Sequence, residues 1–199
     1  MYRDKKSIII VLIIVGVFLA SVTVAYALLQ TSLNVTVNSV TQQNLVWNIG
    51  FETGTVTGVA AVNASNNVSC GTATVTATTV SGISPILSDV SDECAYTLTI
   101  KNSGDIAGQI SNITIQDPTG LTCTKSGSTM VCGDITYKLR YDTATSTTLV
   151  AVGDTISPRS GTTPTTKTVV LTIQYTGSTP ADDDFTQSGF SYTLLFSQY

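Results

Sequence analysis

The chain has 199 residues, of which 11% are charged, and its formal net charge is −4 at neutral pH. Nine residues are lysine or arginine, too few for the basic surface of a nucleic-acid-binding protein. There is no histidine, so Ser-His-Asp triads, Cys-His dyads and the zinc and iron sites built on histidine are excluded. The composition therefore predicts no enzyme, no cofactor and no nucleic-acid partner.

The first predicted element is a hydrophobic helix at the N-terminus. Three basic residues occur before residue 7, residues 8–20 are apolar, and Ala25-Tyr26-Ala27 follows. A basic start, an apolar core and an Ala-x-Ala site are typical of a secretory signal peptide. The pattern predicts that Ala25 and Ala27 define a cleavage site and that residues 1–27 are removed.

An uncleaved membrane anchor is the alternative for the same segment. Residues 8–29 carry no charge, and a stretch of this length can cross the hydrocarbon layer of about 30 Å. Both interpretations place the basic end in the cytoplasm and residues 28–199 outside it. We therefore expect one extracytoplasmic domain, either secreted or attached to the membrane by the N-terminal helix.

The residues after the Ala-x-Ala site form the first predicted strand. Leu33, Val35 and Val37 alternate with polar residues, as in a strand with one buried face. Such a strand can pair within its own domain, or it can be donated to an open sheet edge of another copy. Because donor and acceptor would be different surfaces, the second arrangement could propagate into a fibre. Both possibilities stay open at this level.

The rest of the chain is predicted to consist of short strands. Threonine occurs 35 times, and β-branched residues favour strands. Apolar and polar residues alternate in residues 45–51, 71–80, 94–100, 135–141, 169–175 and 190–196. Turn sequences lie at 102–105 and 117–120, and longer polar connections at 81–92 and 143–167. The prediction is an all-β chain of nine or ten strands, forming an antiparallel β-sandwich with jelly-roll or immunoglobulin-like connections.

All four cysteines follow the apolar segment: Cys70, Cys94, Cys123 and Cys132. An even number of cysteines in an exported chain predicts two disulfides, for which three pairings exist. A hairpin that pairs Lys125 with Met130 would bring Cys123 opposite Cys132, within disulfide reach. We therefore favour Cys123–Cys132 and Cys70–Cys94. Without histidine or a Cys-x-x-Cys motif, a zinc site is disfavoured.

Three adjacent carboxylates near the C-terminus are the remaining candidate ligands. Asp182, Asp183 and Asp184 follow a Thr-Pro-Ala sequence. Calcium prefers several oxygen ligands, so the three aspartates are weak calcium candidates. The alternative is a solvated acidic loop, and we expect no metal site.

Three segments in the first part of the chain resemble a known family. They are residues 26–35, residues 47–51, and residues 96–106, which contain Lys101-Asn102-Ser103-Gly104. Their order resembles the TasA/camelysin-type exported β-sandwich proteins of Gram-positive bacteria, and the resemblance covers residues 7–115. It implies an extracellular structural role, because TasA-like subunits build biofilm fibres in which an N-terminal strand completes the sheet of the next subunit. Camelysin-like members are described as metalloproteases, an activity that the lack of histidine argues against here.

The sequence thus predicts an exported cell-surface structural protein. In its most specific form the prediction is a fibre or biofilm-matrix subunit that assembles with itself through the strand of Leu33, Val35 and Val37. The alternative is an adhesin-like monomeric module, anchored or secreted, that binds an unidentified glycan or protein.

Overall fold

A computed structural model describes residues 45–61, 68–90, 92–142, 148–178, 185–186 and 188–199, together with position 17. The chain divides into two compact units, Met1–Gln43 and Asn44–Tyr199, and nearly all described residues belong to the second. The predicted N-terminal helix and the cleavage residues Ala25 and Ala27 lie outside the described residues. Within the described part, no helix is long and apolar enough to cross a membrane.

The regular secondary structure in the described part of the second unit consists of β-strands. In chain order they are β1 (Ile49–Phe51), β2 (Gly54–Thr57), β3 (Val59–Ala60), β4 (Thr72–Val75), β5 (Thr79–Ser81), β6 (Ile86–Leu87), β7 (Glu93–Asn102), β8 (Gly108–Gln116), β9 (Thr124–Ser126), β10 (Thr129–Cys132), β11 (Ile135–Tyr141), β12 (Thr155–Ile156), β13 (Thr165–Tyr175), β14 (Phe185–Thr186) and β15 (Ser191–Gln198). The predicted all-β class is confirmed for these residues.

The first sheet has the strand order β1-β7-β13-β11-β10-β9, and β3 also pairs with β7. All of its pairs are antiparallel. The register places Leu171 of β13 between Leu139 of β11 and Tyr96 of β7. The three side chains are buried, so the alternation in the sequence correctly predicts which face of these strands points inward.

The second sheet has the antiparallel order β12-β8-β15-β5-β4-β2, and β6 pairs separately with β14. A β-bulge interrupts the β8–β15 pair. Asn112 lies opposite Leu195 and Ile110 lies opposite Phe196, which leaves Ser111 as the extra residue. Such a bulge shifts the alternation of inward and outward side chains by one position. The buried side chain before the bulge is therefore at an even-numbered position, Ile110, and the one after it is at an odd-numbered position, Ile115.

Inward-facing side chains from both sheets belong to one buried apolar cluster. The ring of Tyr137 from the first sheet stacks on Phe190, with ring centroids 4.6 Å apart. Phe190 in turn meets Tyr192 of β15 edge to face at 6.3 Å. Burial raises the pKa of Tyr96 to about 12, and the pKa values of Tyr137 and Tyr192 rise further for the same reason. The tyrosines at inward positions are therefore core residues.

Two disulfides link the four cysteines. Cys70–Cys94 has a Cα–Cα distance of 5.4 Å and Cys123–Cys132 has one of 4.5 Å. These are the two pairings that the sequence favours. The hairpin of β9 and β10 pairs Lys125 with Met130, which is the register used to predict the second bridge. Disulfides of this kind persist in oxidising compartments, so they indicate an extracytoplasmic environment.

One stretch predicted as a single alternating segment, residues 71–80, is instead two strands. β4 and β5 form a hairpin whose turn is held by Thr76. The Thr79 backbone N–H donates to the Thr76 hydroxyl at 3.0 Å, and the Thr76 N–H donates to the Thr79 carbonyl at 2.8 Å. A threonine hydroxyl that bonds nearby backbone favours a turn over a continuous strand. The long connections predicted at 81–92 and 143–167 also contain short strands, β6 and β12.

Candidate functional site

The turn between β7 and β8 is built around one buried amide. Asn102, the last residue of β7, is fully buried. Its side-chain nitrogen donates to the carbonyl oxygens of Ile106 at 2.9 Å and Ser157 at 3.1 Å. Its side-chain oxygen accepts from the Gly104 backbone N–H at 2.9 Å. Because a buried amide is stable only when it is paired, these contacts fix the turn that carries the Lys-Asn-Ser-Gly sequence.

The segment that leads into β1 packs against this turn. The Asp105 N–H donates to the Val46 carbonyl and the Ser103 N–H donates to the Asn48 carbonyl, both at 2.8 Å. A side chain at Gly104 would collide with the Val46 carbonyl oxygen. Glycine at that position therefore allows the close approach of the two backbones. The residues before β1 are thus held against the turn that leads into β8.

A carboxylate completes this junction. Asp105 accepts hydrogen bonds from the Val46 N–H at 3.1 Å and from Arg159 Nε at 2.8 Å. The hydrogen bond from Val46 and then the one from Arg159 hold the pKa of the Asp105 carboxyl below its ordinary value. A carboxyl group whose pKa is lowered by folding stabilises the fold at pH values above the pKa that it has in the unfolded chain. This contribution is lost as the pH falls through the lowered pKa of the folded protein.

We expect Asp105→Asn to lower the thermal midpoint by a few degrees at pH 7, because the amide cannot form the charged contact with Arg159. As the pH falls through the lowered pKa, the carboxyl of the unsubstituted protein is protonated as well, so the difference between the two proteins should become smaller. Thermal unfolding of both proteins at pH 7 and at a series of acid pH values measures this effect. A difference that stays constant or grows in acid would contradict the assignment.

The outer side of β8 is an open sheet edge in the described part of the chain. β12 pairs only with Gly108 and Gln109. The Ile110 N–H donates to the Asp154 carbonyl at 2.9 Å, and the Ile110 carbonyl accepts from Gly153 at 2.8 Å. Beyond Ile110, no described strand lies on this side of residues 111–116.

The direction of the unpaired backbone groups follows from the side chains. From one residue to the next along a strand, the side chain changes from one face of the sheet to the other. The backbone N–H and C=O groups change from one edge of the strand to the other at the same time. Ile110 points its side chain inward and its N–H and C=O away from β15. Ile113 and Ile115 also belong to the core, as half-buried and buried residues. Their N–H and C=O groups therefore face the open edge.

The other sheet edges are shorter or protected. The first sheet ends at β9, which has three residues, a Lys125–Asp117 ion pair at 2.9 Å and the Cys123–Cys132 bridge. At the other end, β1 and β3 both cover β7. The second sheet ends at β2, which has four residues. Short strands and charged side chains protect edges from pairing with other chains, so β8 is the best candidate for strand addition.

The structure brings together only some of the residues predicted from the sequence. Cys70, Cys94, Cys123 and Cys132 form the two disulfides. The proposed donor residues Leu33, Val35 and Val37 lie outside the described residues, as do the calcium candidates Asp182, Asp183 and Asp184. Among the residues that are described, no group of three or more acidic or cysteine side chains is placed to hold a metal ion.

Neither β8 nor its open edge has a clear signal in the sequence. In residues 108–116 the bulge at Ser111 breaks the alternation, so that Ile110 and Ile113 are separated by two polar residues. The Asp105–Arg159 contact joins residues 54 positions apart and has no local signal. The sequence predicts the turn at 102–105 but not the contacts by which this turn holds the segment before β1.

The comparisons with known proteins add no relatives. No family model, no curated protein and no solved structure matches this chain.

Proposed function

We propose that this is an exported cell-surface structural protein whose copies assemble by adding a strand to the outer edge of β8. The observation that carries the proposal is the outer edge of residues 111–116, beside which no described strand lies. The other sheet edges in the described part of the chain are short or protected. Unpaired N–H and C=O groups at such an edge can bind an extended segment of another chain. The assembly would form a fibre or a biofilm matrix.

The proposed donor is the segment that contains Leu33, Val35 and Val37. Its apolar side chains occupy one face of a strand. When it pairs with β8, that face would lie beside Ile113 and Ile115 and extend the apolar core. Ile113 is only half-buried in the single chain, so a strand beside it would bury additional apolar surface.

Three further features belong to the same proposal. Residues 1–27 would direct export, either as a cleaved signal peptide or as an anchor with its basic end in the cytoplasm. The two sheets would pack face to face as a sandwich, which the shared apolar cluster of both sheets supports. The resemblance of residues 7–115 to TasA/camelysin-type proteins supports the extracellular structural role.

The experiment uses the protein recovered after export, with its disulfides intact. Mass spectrometry reads its N-terminus, and a start at Leu28 would establish cleavage after Ala27. Negative-stain electron microscopy over a range of concentrations then tests assembly. We expect regular filaments, and we expect them to disappear when residues 28–40 are deleted. Uniform single particles at every concentration would overturn the proposal.

Ile113→Lys tests the acceptor edge. In a single chain the lysine can reach solvent through the open edge, whereas an added strand would bury its charge. We expect a folded protein without filaments. The matched control is Val56→Lys, a half-buried position on β2 at the opposite edge of the same sheet. If Val56→Lys abolishes filaments and Ile113→Lys does not, the acceptor is not β8.

A further inference from the structure

Two cations in the described part of the chain have no partner. The described residues include six lysines and arginines. Four of their side chains are engaged: Lys101 with Glu52 at 3.6 Å, Lys125 with Asp117 at 2.9 Å, Arg159 with Asp105 at 2.8 Å, and Lys167 with the Thr155 carbonyl at 2.7 Å. In the described structure the side chains of Lys138 and Arg140 make no ion pair, hydrogen bond or ring contact.

These two cations lie side by side on β11. They are two residues apart, so they occupy the same face of the strand at a spacing of about 6.7 Å. Tyr137 and Leu139 alternate with them and are buried in the core. Lys138 is exposed and Arg140 is half-buried. Both charges are therefore presented on the outer face of the first sheet.

A groove of about 320 Å³ runs along this face. Its lining residues are Glu93, Lys138, Arg140, Leu149, Thr172 and Gln174. Thr172 lies across the ladder from Lys138, and Val170 lies across from Arg140. Although they point to the outer face, Thr172 is 6% exposed and Val170 is 5% exposed. Of these two residues Thr172 lines the groove, so the groove is closed at the point where Thr172 lies beside Lys138.

We propose that this groove binds an acidic polysaccharide, with Lys138 and Arg140 contacting its acid groups. Charged hydrogen bonds from the lysine and arginine suit carboxylate, sulfate or phosphate oxygens. The Gln174 amide offers hydrogen bonds to sugar hydroxyls. The Thr172 hydroxyl donates to the Lys138 carbonyl at 3.4 Å and so offers only an acceptor, and Leu149 offers apolar contact. These five groups line one groove, so a polar polymer that carries few charges can contact all of them.

The overall charge favours a sparsely charged polymer over a dense polyanion. The chain has a net charge of −4 and presents only two free cations on this face. DNA carries one charge per about 1.7 Å of its axis, and an acidic protein repels it outside such a small patch. Glu93 lies in the same groove and has no partner cation within ion-pair distance among the described residues. It would repel a further acid group and so limit the length that binds.

The site lies on the first sheet, whereas the proposed assembly edge belongs to the second. Binding therefore does not rest on filament formation and can be measured on single chains. This makes the two proposals separately testable, because Ile113→Lys should leave polysaccharide binding unchanged.

The test measures affinity of the exported protein for three defined polymers in about 50 mM salt. Polygalacturonate carries carboxylates, dextran sulfate carries sulfates, and dextran is neutral. We expect binding to at least one acidic polymer and none to dextran. Preference for polygalacturonate or for dextran sulfate identifies the acid group, and equal binding means that the groove accepts both. Failure to bind either acidic polymer, or equal binding to dextran, would overturn the proposal.

The variants locate the site. Lys138→Gln with Arg140→Gln should weaken binding at least tenfold and reduce its salt dependence. The control is Lys101→Gln with Lys125→Gln, which removes the same charge from exposed ion pairs elsewhere and should change affinity by less than twofold. Glu93→Gln should increase affinity because it removes the repelling charge. Equal losses in the two double variants would show a general charge effect and would overturn the assignment to this groove.

Discussion

Asn102→Asp is expected to lower the free energy of unfolding by about 3 kcal/mol or more at pH 7. The Asn102 side chain is fully buried and faces the carbonyl oxygens of Ile106 and Ser157. A carboxylate cannot donate to these oxygens, and its charge would be repelled by them. The substitution changes only one group and keeps the size of the side chain, so the loss reports the polar contacts rather than a cavity.

The loss should also depend on pH. Burial among carbonyl oxygens would raise the pKa of the new carboxyl above its usual range. The folded protein would then bind a proton more strongly than the unfolded chain, so stability falls as the pH rises through the raised pKa. The defect is expected to be smaller at pH 4 than at pH 7.

Urea unfolding of both proteins at the two pH values measures the effect. Asn112→Asp is the matched control, because Asn112 is exposed on β8. The control should change stability by no more than about 0.5 kcal/mol. Equal stability of Asn102→Asp and the unsubstituted protein, or a defect that increases in acid, would show that the amide does not support the turn.

Removing the Cys70–Cys94 bridge is expected to cost about 3.5 kcal/mol on the loop-entropy model. Its cysteines are 24 residues apart, whereas Cys123 and Cys132 are separated by nine and should contribute about 2.7 kcal/mol. Cys94 also lies in β7, which has neighbouring strands on both sides, and is completely buried. Removal of the first bridge therefore also disturbs packing, and its loss should exceed that of the second.

Paired cysteine-to-serine variants separate the two contributions. We expect the thermal midpoint to fall by roughly 7–14 °C without the Cys70–Cys94 bridge. The variant without the Cys123–Cys132 bridge is the internal comparison, because its hairpin lies at the edge of the first sheet. A larger fall for the edge bridge than for the core bridge would contradict this ranking.

The parts of the fold that the sequence predicts are those set by local alternation. The inward faces of β7, β11 and β13 follow from simple alternation of apolar and polar residues. The Lys125–Met130 register, which brings Cys123 opposite Cys132, follows from a hairpin turn placed between Lys125 and Met130. Alternation fails where the backbone departs from a regular strand. The bulge at Ser111 concealed β8, and the turn at Thr76 split one predicted segment into two strands.

The candidate sites depend on topology, which local patterns do not encode. A strand has the same alternation at a sheet edge and at its centre, so the open side of β8 appears only when the order of strands is known. The groove likewise needs β11 and β13 as neighbours, because Thr172 comes to lie opposite Lys138 only through the register.

The buried amide at the end of β7 also affects how the protein ages. An asparagine followed by serine can deamidate when the serine backbone nitrogen attacks the side-chain carbonyl carbon. In the fold, the Ser103 N–H is bonded to the Asn48 carbonyl, and the Asn102 side chain is held by its own hydrogen bonds. The native turn therefore protects this asparagine, and opening of the turn exposes it. Deamidation would create an aspartate, or its isomer, whose charge the buried site does not accommodate, so one opening of the turn could leave permanent chemical damage in the protein.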